Sequence, residues 1–320
     1  MSPHTDPGKG PRRGRRPRFA ILTSGGDAPG MNAVLAGATE AASAARVSLM
    51  GIPVAFEGLA EGRATTLHAS EVRAAAGRSG TLLGTSRRVD LRRASQLDRC
   101  VAAIGGLRLD GLIVVGGSGS VQAVRRLRAR VEVPIAFVPG TIDNDVAGTE
   151  LSIGFDSAVN HGLAFIDHVR ISAASLPGRA FMVEVLGGGT GNIARAIARA
   201  TPVDAVLTPE TAIDYPAVAG MVAQAMERGY ALIVMSEGVG AAIHVAGRIS
   251  KLIESRVRTS VLGHSQRGAA VSALDRTLGL EAGRLAVQGL LDRGDVDIRP
   301  TLPGCVVHAP DTDDGFAAAR

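Results

Sequence analysis

At 320 residues, 46% hydrophobic and 20% charged, with 3% aromatics and no Trp, the chain can bury a sizeable core of Ala, Val, Leu and Ile, and its length predicts two domains. No stretch approaches the roughly eighteen consecutive apolar residues of a membrane span, and the N-terminus lacks the apolar segment of a signal peptide. Cys100 and Cys305 show neither metal-ligand spacing nor a disulfide framework, so a membrane protein, an exported one and a disulfide scaffold are not expected, and the cytoplasm fits best.

The net charge of +5 owes much to Lys9, Arg12, Arg13, Arg15, Arg16 and Arg18. They lie in one Gly/Pro-rich tail, residues 1–17 with Arg18 at its edge, that is expected to be disordered. No aromatic residues interleave with these charges to stack on bases, so a solvated tail is expected rather than a nucleic-acid arm.

After the tail, residues 19–22 read as a short strand that runs into Thr23-Ser-Gly-Gly-Asp-Ala-Pro-Gly-Met-Asn32, and an Ala-rich helix is expected over residues 32–45. Strand, Gly-rich turn and helix in that order form a phosphate-receiving arrangement, because backbone N–H groups and a helix N-terminus face the anion. The spacing is neither Gly-x-Gly-x-x-Gly nor a P-loop, so a plain strand-to-helix turn stays open. Gly84-Thr85-Ser86-Arg87-Arg88 comes next; its arginines could reach a phosphate bidentately, although any exposed Arg pair in this Arg-rich chain would look the same. The pattern repeats at residues 112–115, a strand that runs into a loop, Gly116-Gly117-Ser118-Gly119-Ser120, and then a helix with Val121, Val124 and Leu127 on one face.

Residues 134–138 form the next expected strand, and it delivers Val138-Pro-Gly-Thr-Ile-Asp-Asn-Asp145. Asp143 and Asp145 sit two residues apart at a strand's carboxyl end, where open α/β sheets bind ligands. Two acids held close can divide labour, one taking a proton from a hydroxyl while the other orients it or shares a cation. A loop whose Asp and Asn side chains make local turns is the plain alternative. Residues 181–186, 205–207 and 231–235 read as further strands separated by Ala-rich helical lengths. Strands alternating with helices predict an α/β fold of parallel sheets, right-handed crossovers and helices on both faces.

Leu22-Thr-Ser-Gly-Gly-Asp-Ala-Pro-Gly-Met-Asn32, Pro139-Gly-Thr-Ile-Asp-Asn-Asp145 and Leu262-Gly-His-Ser-Gln-Arg-Gly268 resemble the phosphofructokinase family in order and spacing, over residues 18–291. The resemblance implies two Rossmann-like lobes with mainly parallel sheets flanked by helices. Residues 18–154 and 263–300 would form a nucleotide-binding lobe, 155–262 a sugar-phosphate-binding lobe and 301–320 a short C-terminal segment. It implies an ATP-dependent 6-phosphofructokinase reaction, in which the γ-phosphoryl group of ATP moves to the C1 hydroxyl of fructose 6-phosphate or a related sugar phosphate, with Mg2+ as cofactor.

The same resemblance assigns the general base to Asp143, support and metal binding to Asp145, and a place beside the transferring phosphate to Thr141. On the acceptor side it assigns Arg258, His264 and Arg267, together with Arg179, which in the family reaches a neighbouring subunit's site, and Glu210, an acid for sugar hydroxyls. On the nucleotide side it assigns Gly26, Arg87, Gly119 and Ser120. Gly119 and Gly140 resemble the ATP-using rather than the pyrophosphate-using type. Plainer readings stay open for single residues, such as His264 satisfied in a turn or Glu210 capping the helix after Thr211. Arg179 and Arg258 imply a homodimer or homotetramer.

The chain departs from the family's pattern at its centre. Ser118 stands where the family has its magnesium carboxylate, so a weakened metal site is expected, because a hydroxyl does not replace a full charge beside a hard cation. Leu186-Gly187-Gly188 stands where the family has Met-Gly-Arg, and Gly188 brings no cation to the transferring group. Losing one carboxylate and one arginine balances the local charge, which suggests a remodelled site. Ala36 and Glu40 replace arginines of an allosteric phosphate site, so control by ADP or phosphoenolpyruvate is not expected. The acidic residues 311–315 stand short of the family's C-terminal helix. Two readings follow: an ATP-dependent sugar-phosphate kinase, or a catalytically impaired paralogue acting as a sugar-phosphate-binding or regulatory subunit. A nicotinamide-dependent Rossmann enzyme has the wrong glycine spacing.

Overall fold

The computed structural model describes residues 15–292, 294–302 and 304–310. Lys9, Arg12 and Arg13 of the basic tail and the acidic residues 311–315 lie outside the described residues. In chain order the first elements are β1 (Arg18–Ser24), α1 (Met31–Ala44), β2 (Ser48–Gly51), α2 (Ala55–Ala60), β3 (Thr65–Thr66), α3 (Ala69–Ala75) and α4 (Ala94–Gly106). They are followed by β4 (Gly111–Gly116), α5 (Ser118–Arg128), β5 (Ile135–Pro139), α6 (Phe155–Ala174), β6 (Arg179–Val185), α7 (Asn192–Ala200) and β7 (Ala205–Leu207). The last are α8 (Tyr215–Glu227), β8 (Tyr230–Ser236), α9 (Ala242–Leu252), β9 (Val257–Val261), α10 (Ala273–Leu291), β10 (Val296–Pro300) and β11 (Cys305–His308).

Among the described residues the strands form two sheets. A seven-stranded sheet runs in the order β11-β10-β5-β4-β1-β2-β3, and a four-stranded one in the order β7-β8-β6-β9. The second is parallel throughout. The first is parallel except where the two-residue β3 and the terminal β11 pair antiparallel at its edges. Cys305–His308, within the expected short C-terminal segment, adds one strand to the first sheet.

Both faces of the central strands are covered, which is why they read as unbroken apolar runs rather than alternating ones. Ile21, Ile113, Val115, Ala136 and Val138 pack to one side against α1 and α10, and Ala20, Leu22, Leu112, Val114 and Phe137 pack to the other against α2, α4 and α5. In the second sheet Ala180, Met182, Ile233 and Met235 face α8 and α9, while Val183, Val185, Leu232 and Val234 join the cluster that contains the α1 side of the first sheet. One core therefore runs continuously from sheet to sheet. No helix among the described residues is long and apolar enough to cross a membrane.

Two expectations need correction. Arg15 and Arg18 are not in a free tail: Arg15 pairs with Asp110 through two contacts of 2.7 and 2.8 Å, and Arg18 opens β1 with its own N–H donating to Asp110 at 2.7 Å. Asp110, at the entry to β4, holds these residues from 95 and 92 positions away, a pairing that local composition does not reveal. The second Gly-rich loop is also shorter than expected, since α5 already begins at Ser118. Ser118, Gly119 and Ser120 are its first turn, where backbone donors lack helical partners.

Helices α1 and α10 cross at glycines. A Cβ on Gly37 would lie 2.0 Å from the Leu280 carbonyl oxygen, and one on Gly283 would lie 2.2 Å from that of Val34. Gly283→Ala is expected to destabilise the protein by about 1–3 kcal/mol in urea titrations, although Ala is the better helix former by about 1 kcal/mol. Gly220→Ala, on the exposed face of α8 where a Cβ meets nothing within 4 Å, should instead stabilise by about 0.5–1 kcal/mol. Equal effects at the two sites would refute the close crossing.

Candidate active site

In the first sheet the chain leaves β1 for β2 on one side and later returns to β4 on the other. That reversal opens a crevice at the carboxyl ends of β1 and β4, the position where open α/β sheets receive ligands. A cleft of about 520 Å³ lies there, bounded by Gly25 and Gly26 after β1, by the start of α5 and by Thr141, Asp143 and Asp145 after β5. The segment carrying Arg87 is tied to the floor by Thr85 Oγ1, which donates to the Gly25 carbonyl at 2.8 Å, and by Thr23 Oγ1, which donates to the Gly84 carbonyl at 2.9 Å. Arg87 lines the cleft, whereas its neighbour Arg88 turns to Glu57 at 3.5 Å.

The acidic loop turns at Asn144, whose φ of 50° lies in the left-handed region that Asn tolerates better than most residues. Asn144 Oδ1 accepts from the Ser152 N–H at 2.7 Å and its Nδ2 donates to the Glu150 carbonyl at 3.1 Å. Beyond this turn Asp145 Oδ2 accepts from Ser118 Oγ at 2.7 Å. Thr141 is buried, with Oγ1 accepting the Asp143 N–H at 3.2 Å.

From the opposite side, the carboxyl end of β6 meets the same loop. Asn192 Nδ2 donates to the carbonyls of Asp143 and Asn144 at 3.1 and 2.9 Å, and Thr190 Oγ1 donates to that of Asp143 at 3.3 Å. A Cβ on Gly188 would lie 3.2 Å from Asp143 Oδ2. The carboxyl ends of both sheets thus converge on Asp143. Burial pushes its carboxyl up to about 6; Arg267 and Arg87 pull it down, while Asp145 and Glu237 push it further up. Asp143 Oδ1 and Asp145 Oδ1 are both buried without a hydrogen-bond partner. Two unsatisfied carboxylate oxygens in a cleft beside two guanidiniums are suited to a hydroxyl, a cation or both.

The phosphofructokinase family profile matches residues 18–290. The ATP-dependent 6-phosphofructokinase of Bacillus subtilis is 36% identical over 277 residues, 86% of each chain, and that of Thermotoga neapolitana is 34% identical over 289 residues, 90% of each. This chain belongs to the phosphofructokinase family. Its fold agrees: the phosphofructokinase of Pichia pastoris superposes with a TM-score of 0.86 at 26% identity over 97% of this chain, which spans 36% of that longer one.

Within this phosphofructokinase framework the residues expected from sequence divide into groups. Gly26, Arg87, Gly119, Ser120, Thr141, Asp143, Asp145 and Arg267 line one cleft. His264 is exposed in the turn Gly263–Gln266, after β9 and three residues before Arg267. Arg179 and Arg258 lie elsewhere. Arg179 opens β6, and Arg258 is on β9 beside Phe181, with its guanidinium 5.9 Å from that ring. Six residues of strand, about 20 Å, separate Arg179 from the end of β6 that meets Asp143. Glu210 does not cap the helix after Thr211, a role taken by Asp214 on α8. It accepts from the Gly191 N–H at 2.9 Å and from Arg195 at 2.8 Å, and the Arg195 hydrogen bond holds its carboxyl down to about 2.

Two residues escaped the sequence reading. Glu237, just after β8, accepts from the N–H groups of Gly187 and Gly188 at 3.1 and 2.8 Å and raises the Asp143 pKa by its charge. Its signal was available, since Ser236-Glu237-Gly238 follows an apolar strand just as the other site loops do. Gln266 is fully buried; it accepts from the Leu186 N–H at 2.7 Å and donates to the Ala158 carbonyl at 3.1 Å, which fixes the β9 turn against β6 and α6.

The donor set also bears on Mg2+. Among the described residues no group of three or more His, Cys, Asp or Glu side chains could hold a metal, yet Asp145 lines the cleft and has one buried oxygen without a partner. That fits a magnesium ion that arrives on nucleotide phosphates and needs one or two carboxylate contacts.

A stability measurement tests the buried charge. Raised from the ordinary aspartate value of 3.8 to about 6, Asp143 binds its proton more tightly folded than unfolded. The stability it contributes is whole below pH 3.8 and is lost as pH rises through 6. Ligand-free Asp143→Asn should therefore exceed the wild type by about 1–3 kcal/mol at pH 7–8, with the gap closing near pH 4. A gap in melting temperature that does not change with pH would contradict the buried ionisable group.

Proposed function

We propose that this protein is an ATP-dependent sugar-phosphate kinase that phosphorylates the C1 hydroxyl of fructose 6-phosphate, with Asp143 as the general base. The observation that carries this reading is the Asp143 carboxylate, with one buried oxygen unpartnered, in the field of the Arg87 and Arg267 guanidiniums where the carboxyl ends of both sheets meet. A carboxyl of pKa about 6 is ionised at neutral pH and still basic enough to take a hydroxyl proton.

Asp143 removes the proton, the freed oxygen bonds to the γ-phosphorus of ATP, and the bond to the β–γ bridging oxygen breaks with its electron pair leaving on ADP. Thr141 stands next to Gly117 at the phosphate end of the cleft, and Gly26, Gly119 and Ser120 leave room there for the donor's phosphates. Mg2+ bound with the nucleotide would neutralise phosphate charge; Asp145 would hold it, and Ser118 leaves the site one carboxylate poorer. We read residues 18–154 with 263–300 as the nucleotide lobe and 155–262 as the sugar-phosphate lobe; Glu237 of the latter, with His264 and Arg267 at the start of the returning segment of the former, would face the acceptor. Glu210, already paired with Arg195, would position the 187–191 loop. Arg179 and Arg258, far from their own Asp143, would serve the cleft of a second copy in a homodimer or homotetramer. The impaired-paralogue reading is not favoured, since the proposed base is present and the relatives are named ATP-dependent 6-phosphofructokinases.

Two measurements test this. A coupled assay with fructose 6-phosphate, ATP and Mg2+ should show turnover that Asp143→Ala lowers by about 10³-fold or more; activity that survives the substitution would remove Asp143 from the mechanism. Ser118→Asp should make thermal stability Mg2+-dependent, because a second carboxylate beside Asp145 repels it until a cation joins them. A melting temperature insensitive to Mg2+ in both variant and wild type would show that position 118 does not limit metal binding.

A further inference from the structure

Asp143 is held by its backbone. Its Oδ1 is buried without a hydrogen-bond partner, so the aim of the carboxylate is set by what grips the main chain around it. Within the loop, the Asp143 N–H donates to Thr141 Oγ1 at 3.2 Å. From the other sheet, the Asp143 carbonyl accepts from Thr190 Oγ1 at 3.3 Å and from Asn192 Nδ2 at 3.1 Å, and Asn192 Nδ2 also takes the next carbonyl, that of Asn144, at 2.9 Å.

An asparagine amide makes such a clamp in only one of its two orientations. Half a turn exchanges Oδ1 with Nδ2, which here would set an oxygen against two carbonyl oxygens and an NH2 group against a guanidinium. The choice is enforced from the far side. Arg195, three residues further along α7 and so on the same helix face, donates from Nη2 to Asn192 Oδ1 at 2.9 Å. The same nitrogen donates to Glu210 Oε1 at 2.8 Å, and that oxygen also accepts from the Gly191 N–H at 2.9 Å, at the entry to the helix. A guanidinium nitrogen carries two hydrogens, so each acceptor can take one. A Cβ on Gly191 would lie 2.4 Å from Thr208 Cβ and 2.9 Å from Glu210 Oε2, so the helix entry is packed directly against the acid.

We propose that Arg195 is a positioning residue for the reaction: by holding Asn192 Oδ1, with Glu210 as its counter-ion, it orients the amide that clamps the Asp143 loop. The effect on turnover rests on the sugar-phosphate kinase reading; the clamp itself does not. Arg195, Asn192 and Glu210 do not line the cleft of about 520 Å³, so they act on the chemistry through the loop. The Arg195 and Glu210 side chains are 38% and 40% exposed, and an ion pair so exposed adds little to stability. What it sets is a direction.

Steady-state kinetics with ATP, fructose 6-phosphate and Mg2+ test the route. Arg195→Met should lower kcat about tenfold or more, while the KM for each substrate changes by less than about twofold. Arg195→Lys, which keeps a charged donor on a shorter reach, should fall between, and serves as the check if the Met variant does not fold. In an Asn192→Ala background Arg195→Met should cost nothing further, because the amide it acts through is already gone. A raised KM with kcat retained, or a loss of kcat as large without Asn192 as with it, would overturn the proposal.

A second arm needs no turnover. Amide hydrogen exchange in the ligand-free protein, followed by mass spectrometry, should show Arg195→Met speeding exchange at residues 143–145 by about tenfold, with a melting temperature within about 2 °C of the wild type. Asn192→Ala should do the same, and the double variant no more. Exchange unchanged in Arg195→Met would overturn the clamp. A wild type that does not phosphorylate fructose 6-phosphate would refute the kinase reading and leave the clamp to be decided by exchange; an active wild type whose Arg195→Met variant matches it in both arms would refute the clamp alone.

Discussion

One side-chain amide joins the two sheets at the acidic loop. Asn192, the first residue of α7, donates to the carbonyls of both Asp143 and Asn144. Leaving partly buried carbonyls without donors costs about 1–3 kcal/mol each, so the loop delivered by the first sheet is held in place by the second. Thr190 adds its hydroxyl to the Asp143 carbonyl, and Ser236 Oγ in turn donates to the Thr190 carbonyl at 2.6 Å. Asp143, the glycine run and the end of β8 form one hydrogen-bonded unit. The chemistry depends on it because phosphoryl transfer is mainly a matter of positioning and charge.

Around that unit the supports are buried polar groups that have hydrogen-bond partners. Asp275, near the start of α10, accepts from the N–H groups of Gly154 and Ser157 at 2.8 Å each and so ties the entry of α6 to the helix that returns to the first sheet. Burial raises its pKa even against those hydrogen bonds. Gln266 does the equivalent for the β9 turn. In contrast, Asp143 Oδ1 and Asp145 Oδ1, on two residues that line the cleft, are buried without a partner. Arg128 Nε is the one other such atom among the described residues, so buried, unpartnered carboxylate oxygens in the described chain are confined to this loop.

Much of the first sheet was legible in the chain. Its central strands are short, fully buried runs of Ile, Val and Leu, and each ends in a loop with an unmistakable turn composition. The outer strands were not legible: β2 and β3 are only four and two residues long, and β10, Val-Asp-Ile-Arg-Pro, mixes charges with apolar residues. Its Asp297 pairs with Arg128 from 169 positions away at 2.9 Å, so a charged residue sits inside a strand for a reason that no local window contains. The same holds for Arg15 and Asp110. Glu210 shows the converse: a Thr-Pro-Glu motif suggested contact with sugar, while Arg195, fifteen residues earlier, had already engaged it.

The sequence by itself determined the fold class, the order of the site loops and the acidic loop on which the proposed base lies. Strand composition, glycine spacing and acid placement are local properties, and the physics that uses them is local too. Which groups share a cleft was decided only in three dimensions. Arg267, more than a hundred residues after the acidic loop, comes to lie over Gly26 beside Arg87, while Arg179 and Arg258 stay at the other end of their sheet. Charge acts through space rather than along the chain, so the partners of Asp143 and its raised pKa follow from the packing of two sheets.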